Sequence, residues 1–171
     1  MNSEAEKLHL EHEAARVFMR HYEQRTGKTM RHIWHNKPQK PDASCFLEGE
    51  RLDLEIAHLY GSEKEAMQLL GRSLTDHTRQ ELDFLESEPV HDRLICALNR
   101  ILESKSHKSY HSRRVWLVVR NVHPAWTTAD IHRLQTLIQV PQGHPFEQIW
   151  IVGDMLGHSG IFQLYPHHPS P

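Results

Sequence analysis

Asp42 follows Pro41, and about a dozen residues later Asp53 and Glu55 stand in the run RLDLEIAHLY at 51 to 60. Side chains of an extended chain alternate, so Asp53 and Glu55 share one face while Leu52, Leu54 and Ile56 take the other. The preceding run DASCFLE alternates in the same way, with Ala43, Cys45 and Leu47 on one side and Asp42 with Ser44 on the other. A short turn around Gly49 joins the two runs into a hairpin, which carries Asp42 to the side of the other carboxylates. Three carboxylates on one sheet face raise one another's pKa or recruit a cation. All-oxygen donors favour Mg2+, or Mn2+, over zinc. Such an ion polarises a phosphoryl oxygen and makes a bound water acidic.

The flanking sequence predicts the elements that must hold these groups. Ser3 and Glu6 have capping-box spacing, and Leu10, Ala14, Val17, Phe18 and Tyr22 recur at helical intervals, predicting a helix of about six turns that ends before Gly27. HIW at 32 to 34 predicts a short strand, and KPQKP at 37 to 41 a loop. After the hairpin, Ser62 with Glu65 opens a short helix that stops at Gly71, and Thr75 to Ser87 is helical as well. Beyond Pro89, the run from His91 to Tyr110 places Leu94, Leu98, Ile101 and Leu102 on one stripe of a long amphipathic helix. VWLVV at 115 to 119 and QIWIV at 148 to 152 predict buried strands. Between them TTADIHRLQTLIQV predicts a helix capped by Thr127 with Asp130, and GIFQLYP predicts a last edge strand ended by Pro166. The order predicts one α/β domain over residues 1–171, a mixed central sheet flanked by helices, with a frayed tail from about 167.

At the PD of residues 41 and 42, the turn around Gly49 and the DLEIA of 53 to 57, the sequence resembles the PD-(D/E)xK nuclease superfamily, of restriction-endonuclease-like fold. The αβββαβ order over about residues 5 to 120 is similar to that core, with the last helix and strands added beyond it. The resemblance implies a metal-dependent nuclease that hydrolyses phosphodiester bonds in DNA, with Asp42, Glu55 and Asp53 holding Mg2+ or Mn2+. Two alignments are open. With Glu55 as the motif acid, the lysine position falls on Ala57; with Asp53 as that acid, Glu55 stands in the lysine position, as in some restriction enzymes. In the first case a lysine from the long helix can substitute. Lys105 lies on its apolar stripe, four residues after Ile101, and Lys108 is held in reserve one turn further on. Glu13, on the inner face of the first helix by phase, matches where family members add an acidic ligand. Cutting both strands of a duplex would call for a homodimer. The missing motif lysine equally suits a relative that has lost catalysis and serves as a binding or structural protein.

Composition narrows the remaining classes. A formal charge of −2 over 171 residues gives no overall basic footprint, so contact with nucleic acid must be local. RHIWHNKPQK at 31 to 40 and SKSHKSYHSRR at 104 to 114 supply candidate phosphate contacts in Lys37, Lys40, Lys108 and Arg113. Sixteen histidines invite a zinc reading, but the H-E-x-x-H signature fails because Arg16 follows His12 and Glu13 at its last position. Cys45 and Cys96 are too few for a disulfide framework and read as small core residues of a reduced, cytoplasmic protein. The polar, acidic first residues do not read as a signal peptide, and no apolar run approaches the roughly 18 residues of a membrane span. Dinucleotide, P-loop and G-x-S-x-G motifs are absent.

Overall fold

The computed structural model describes residues 3–36, 41–60 and 90–167. Helix α1 (Ser3–Thr26) precedes strands β1 (Met30–His35), β2 (Ala43–Leu47) and β3 (Glu50–Leu59). Helix α2 (Val90–Ser106), strand β4 (Val115–Asn121), short helix α3 (Thr128–Arg133), and strands β5 (Gln148–Val152) and β6 (Ile161–Tyr165) follow. The six strands form one mixed sheet in chain order. β3, β4 and β5 run parallel, and the other neighbours pair antiparallel. The architecture is mixed α/β.

Strand alternation divides the core between the two faces. Cys45, Leu47, Leu52, Leu54, Ile56, Trp116 and Val118 pack against Ala14, Phe18 and Tyr22 of α1. Ala57, Leu59, Leu117, Val119 and Ile151 pack on the other face beneath Leu94, Leu98 and Leu102 of α2. All seven residues of β4 are buried, as an apolar run covered on both faces requires. The core beneath α2 takes no residue from β1 or β2.

Two backbone features set the positions that matter for chemistry. Leu47 pairs with Glu50, leaving only Glu48 and Gly49 in the turn, at φ 50° and 81°. Positive φ at both central residues suits the twist of a two-residue hairpin and pins its register. Because β3 and β4 are parallel, the chain must cross back between them, and α2 makes the return. Its C-terminal end and the residues up to β4 therefore arrive beside the first half of β3.

Three local expectations are corrected. α2 stops at Ser106, so Lys108 and Tyr110 lie beyond it; Ser104, Ser106, His107 and Ser109 are weak helix formers, and the Ser106 hydroxyl donates to the Glu103 carbonyl at 2.8 Å. α3 ends at Arg133 and only a 3-10 turn, Gln135–Leu137, follows, where β-branched Thr136, Ile138 and Val140 disfavour continuation. Its start is as the spacing predicts, with the Thr127 N–H donating to Asp130 Oδ2 at 2.9 Å. Cys96 is exposed, since two residues from Leu94 is the far side of a helix; Cys45 is buried, and burial, helped by the Asp53 charge, pushes its thiol up to about 12. The helices expected at 62–71 and 75–87 fall outside the described residues. Among the described residues no helix is long and apolar enough to cross a membrane.

Candidate active site

One step beyond the Ala43–Leu54 pair, Asp42 stands opposite Glu55. Its Oδ2 accepts the Ile56 N–H at 2.9 Å, in place of a ladder carbonyl. The two carboxyls are close enough to share a hydrogen bond, and both residues are buried. Burial first, then the hydrogen bond and charge of Glu55 and the charge of Glu11, push Asp42 up to about 8. Burial works against the Glu55 anion too, but the Asp42 hydrogen bond, Lys105 and Tyr110 outweigh it and hold Glu55 below the usual range. At neutral pH the pair thus shares one proton.

Three groups converge on a single oxygen of Glu55. Its Oε2 accepts from the Tyr110 hydroxyl at 2.5 Å and from Lys105 Nζ at 3.3 Å, and Lys108 Nζ stands 3.8 Å away. Oε1 is buried and, the neighbouring Asp42 carboxyl apart, has no hydrogen-bond partner among the described residues. Burial, then the hydrogen bond to Glu55, raise the Tyr110 pKa, so it stays a donor. The return geometry of α2 explains why residues 105 to 110 reach a side chain some fifty positions earlier.

Asp53 shares the face but is bound otherwise. Its Oδ1 accepts from Arg51 Nε at 2.9 Å and from the Ser44 hydroxyl at 2.5 Å, and its Oδ2 from the Ser112 hydroxyl at 2.6 Å. Protein donors occupy both oxygens, so Asp53 ties β2, β3 and the segment before β4 together.

On α1 the residue that faces the pair is Glu11. It is 4% exposed, its Oε2 has no partner among the described residues, and its charge acts on both Asp42 and Glu55. Burial raises its pKa, against the pull of Lys7. Glu13 is drawn elsewhere, since Arg120 Nη2 of β4, wholly buried, donates to it at 2.9 Å. Helical phase could have found Glu11, for 11, 15, 18 and 22 form one stripe with Ala15, Phe18 and Tyr22. Tyr110, Ser112 and Arg120 carried no comparable signal. Arg113 is exposed, and Lys37 and Lys40 lie outside the described residues.

Among the described residues no three His, Cys, Asp or Glu side chains stand as a group able to hold a metal ion. The donor chemistry nevertheless suits a hard cation, because Glu55 Oε1 and Glu11 Oε2 are buried oxygens to which no N–H or hydroxyl donates among the described residues, beside the carboxyl of Asp42. No family model, curated protein or solved structure matches the chain.

Proposed function

We propose that the chain is a divalent-metal-dependent nuclease of the PD-(D/E)xK, restriction-endonuclease-like type, acting on phosphodiester bonds in DNA. The observation that carries the reading is the meeting of Asp42 and Glu55 on adjacent strands with Lys105 Nζ 3.3 Å from Glu55. Support also comes from the element order, α1 then three antiparallel strands, with a helix and a parallel strand further along the chain. Asp42 and Glu55 would hold Mg2+ or Mn2+, and Glu11 is better placed than Glu13 to add an acid. When bound, the ion supplies Lewis-acid polarisation of the phosphoryl group and a more acidic water. Tyr110 and Lys105 keep Glu55 Oε2 occupied and leave Oε1 for the ion. Lys105 also brings a positive charge to where the phosphoryl oxygens gain negative charge.

The test is cleavage of DNA with Mg2+ or Mn2+ by the wild type and by folded Asp42→Asn, Glu55→Gln and Lys105→Met variants. Cleavage lost in all three supports the reading; cleavage unchanged in the two carboxylate variants overturns it.

A second reading, a member of the same fold that binds without cleaving, is favoured by the proton that the acidic pair shares and by the absence of a three-ligand group among the described residues. A calorimetric titration without Mg2+ or Mn2+ uptake decides for it.

A further inference from the structure

The part of the sheet that α2 leaves uncovered carries aromatic rings next to the acidic pair. Trp34 pairs with Ser44 and Phe46 with Arg51, so both rings lie on the face of Asp53 and Glu55. Their centroids are 5.4 Å apart, and both residues are half-buried. The Arg51 guanidinium lies over the Trp34 ring at 5.6 Å while its Nε is held by Asp53 at 2.9 Å. The guanidinium is thus fixed over the indole, and the two π systems together make a stacking platform.

Beside Arg51 the surface opens into a cleft of about 560 Å3, lined among others by His111, Ser112, Arg113 and Arg114, with Asp53 in its wall. Arg114 is neutralised by Glu147 at 2.7 Å and Glu50 at 3.1 Å, and Arg51 by Asp53. Arg113 is exposed and has no acidic partner among the described residues. Among the described residues the cleft therefore has one uncompensated guanidinium, with the His111 imidazole near it. Asp53 and Glu55 are two positions apart on one strand, on the order of 7 Å. An extended nucleotide spans that interval.

We propose that this surface binds an unpaired nucleic-acid strand, with a base stacked on the Trp34–Arg51 platform and an adjacent phosphate entering the cleft at Arg113. Every base offers a flat π face, but in a duplex its neighbours already cover it, so a stacking platform selects unpaired nucleotides. The choice of ligand rests on reading the acidic pair as a nuclease centre, while the contacts themselves involve neither Asp42 nor Glu55.

The experiment is fluorescence anisotropy of a labelled strand of about 20 nucleotides, long enough to fill such a site. DNA and RNA of one sequence, and the corresponding DNA duplex, are compared in EDTA across a series of salt concentrations. Either single strand should bind at least tenfold more tightly than the duplex, and the preferred strand identifies the sugar. Trp34→Ala should weaken single-strand binding about tenfold, and Trp34→Phe should recover most of it. Arg113→Ala should lower the slope of log affinity against log salt by about 0.7, the loss of one phosphate contact. If Trp34→Ala does not fold, Trp34→Leu keeps apolar bulk without the stacking face and should show the same loss. Equal or tighter binding of the duplex, or unchanged binding in the Trp34 variants, overturns the proposal. Because no metal is present, failure to cleave leaves a positive result standing. Mg2+-dependent cleavage of duplex that ignores Trp34 removes this proposal alone.

Discussion

Lys105 Nζ stands 3.3 Å from Glu55 Oε2, and the side chain of Lys105 is 19% exposed. A lysine from the end of a helix thus reaches the strand carboxylate, although Ala57, two positions after Glu55, has no charge to offer. Lys105→Met removes that charge and leaves Tyr110 and Lys108 on Glu55. Under the nuclease reading, the cleavage rate should fall by about a hundredfold or more. Thermal unfolding monitored in parallel separates this from loss of fold.

Asp42 makes the fold lose stability as the pH rises from about 4 to about 8. Its pKa is about 8 in the native protein against an ordinary 3.8. Within that window the native state keeps a proton that the unfolded chain has released. Raising the pH through it removes stability, by up to roughly 1.4 kcal/mol per pH unit, and below it the contribution is fully present. Urea denaturation should show this slope in the wild type and a flatter one in Asp42→Asn. Under the nuclease reading Mg2+ should flatten the wild-type slope as well, since the ion takes over the neutralising role of the proton.

His58 acts on the acid side. Burial, with the Arg120 charge added, pushes it down to about 4 from 6.5, and its Nε2 has no hydrogen-bond partner among the described residues. Here the unfolded chain takes a proton that the native state refuses. Stability is complete above about 6.5 and is lost as the pH falls towards 4. His58→Phe should shift the acid-unfolding midpoint, followed by circular dichroism, to lower pH.

Arg120 is wholly buried and holds Glu13 and, at 2.7 Å and 3.0 Å, the Met155 carbonyl. Arg120→Met leaves those acceptors unpaired and should destabilise the fold by about 3 kcal/mol in chemical denaturation. Arg120→Lys should recover only part, because an ammonium lacks the planar fork that serves two acceptors at once.

Much of this arrangement can be read from residue order. Alternation in two short runs places Asp42 opposite Glu55, and the stripe through Ile101 and Leu102 points Lys105 inward. Residue type cannot rank two acids on one helix, but phase can. Glu11 sits within the stripe of Ala15, Phe18 and Tyr22, while Glu13 lies at the border of the apolar face, where Arg120, a residue over a hundred positions away, captures it. Tyr110 and Ser112 sit in a segment without periodic structure, so only the return path of α2 brings them to Glu55 and Asp53. Alternation places Asp53 beside the other acids but does not show that protein donors hold both its oxygens; Arg51, two residues earlier on the same face, is the one legible sign of it. Residue type alone would bury Cys96, whereas helical phase, two positions from Leu94, turns it to solvent.

The turn at Glu48 and Gly49 works as a ruler. With two residues in the loop, Leu47 meets Glu50 and, five steps along each arm, Asp42 meets Glu55. One residue more or less would slide the arms past each other and part the acids without altering either. Many letters of the hairpin can change while the pair survives; its length cannot.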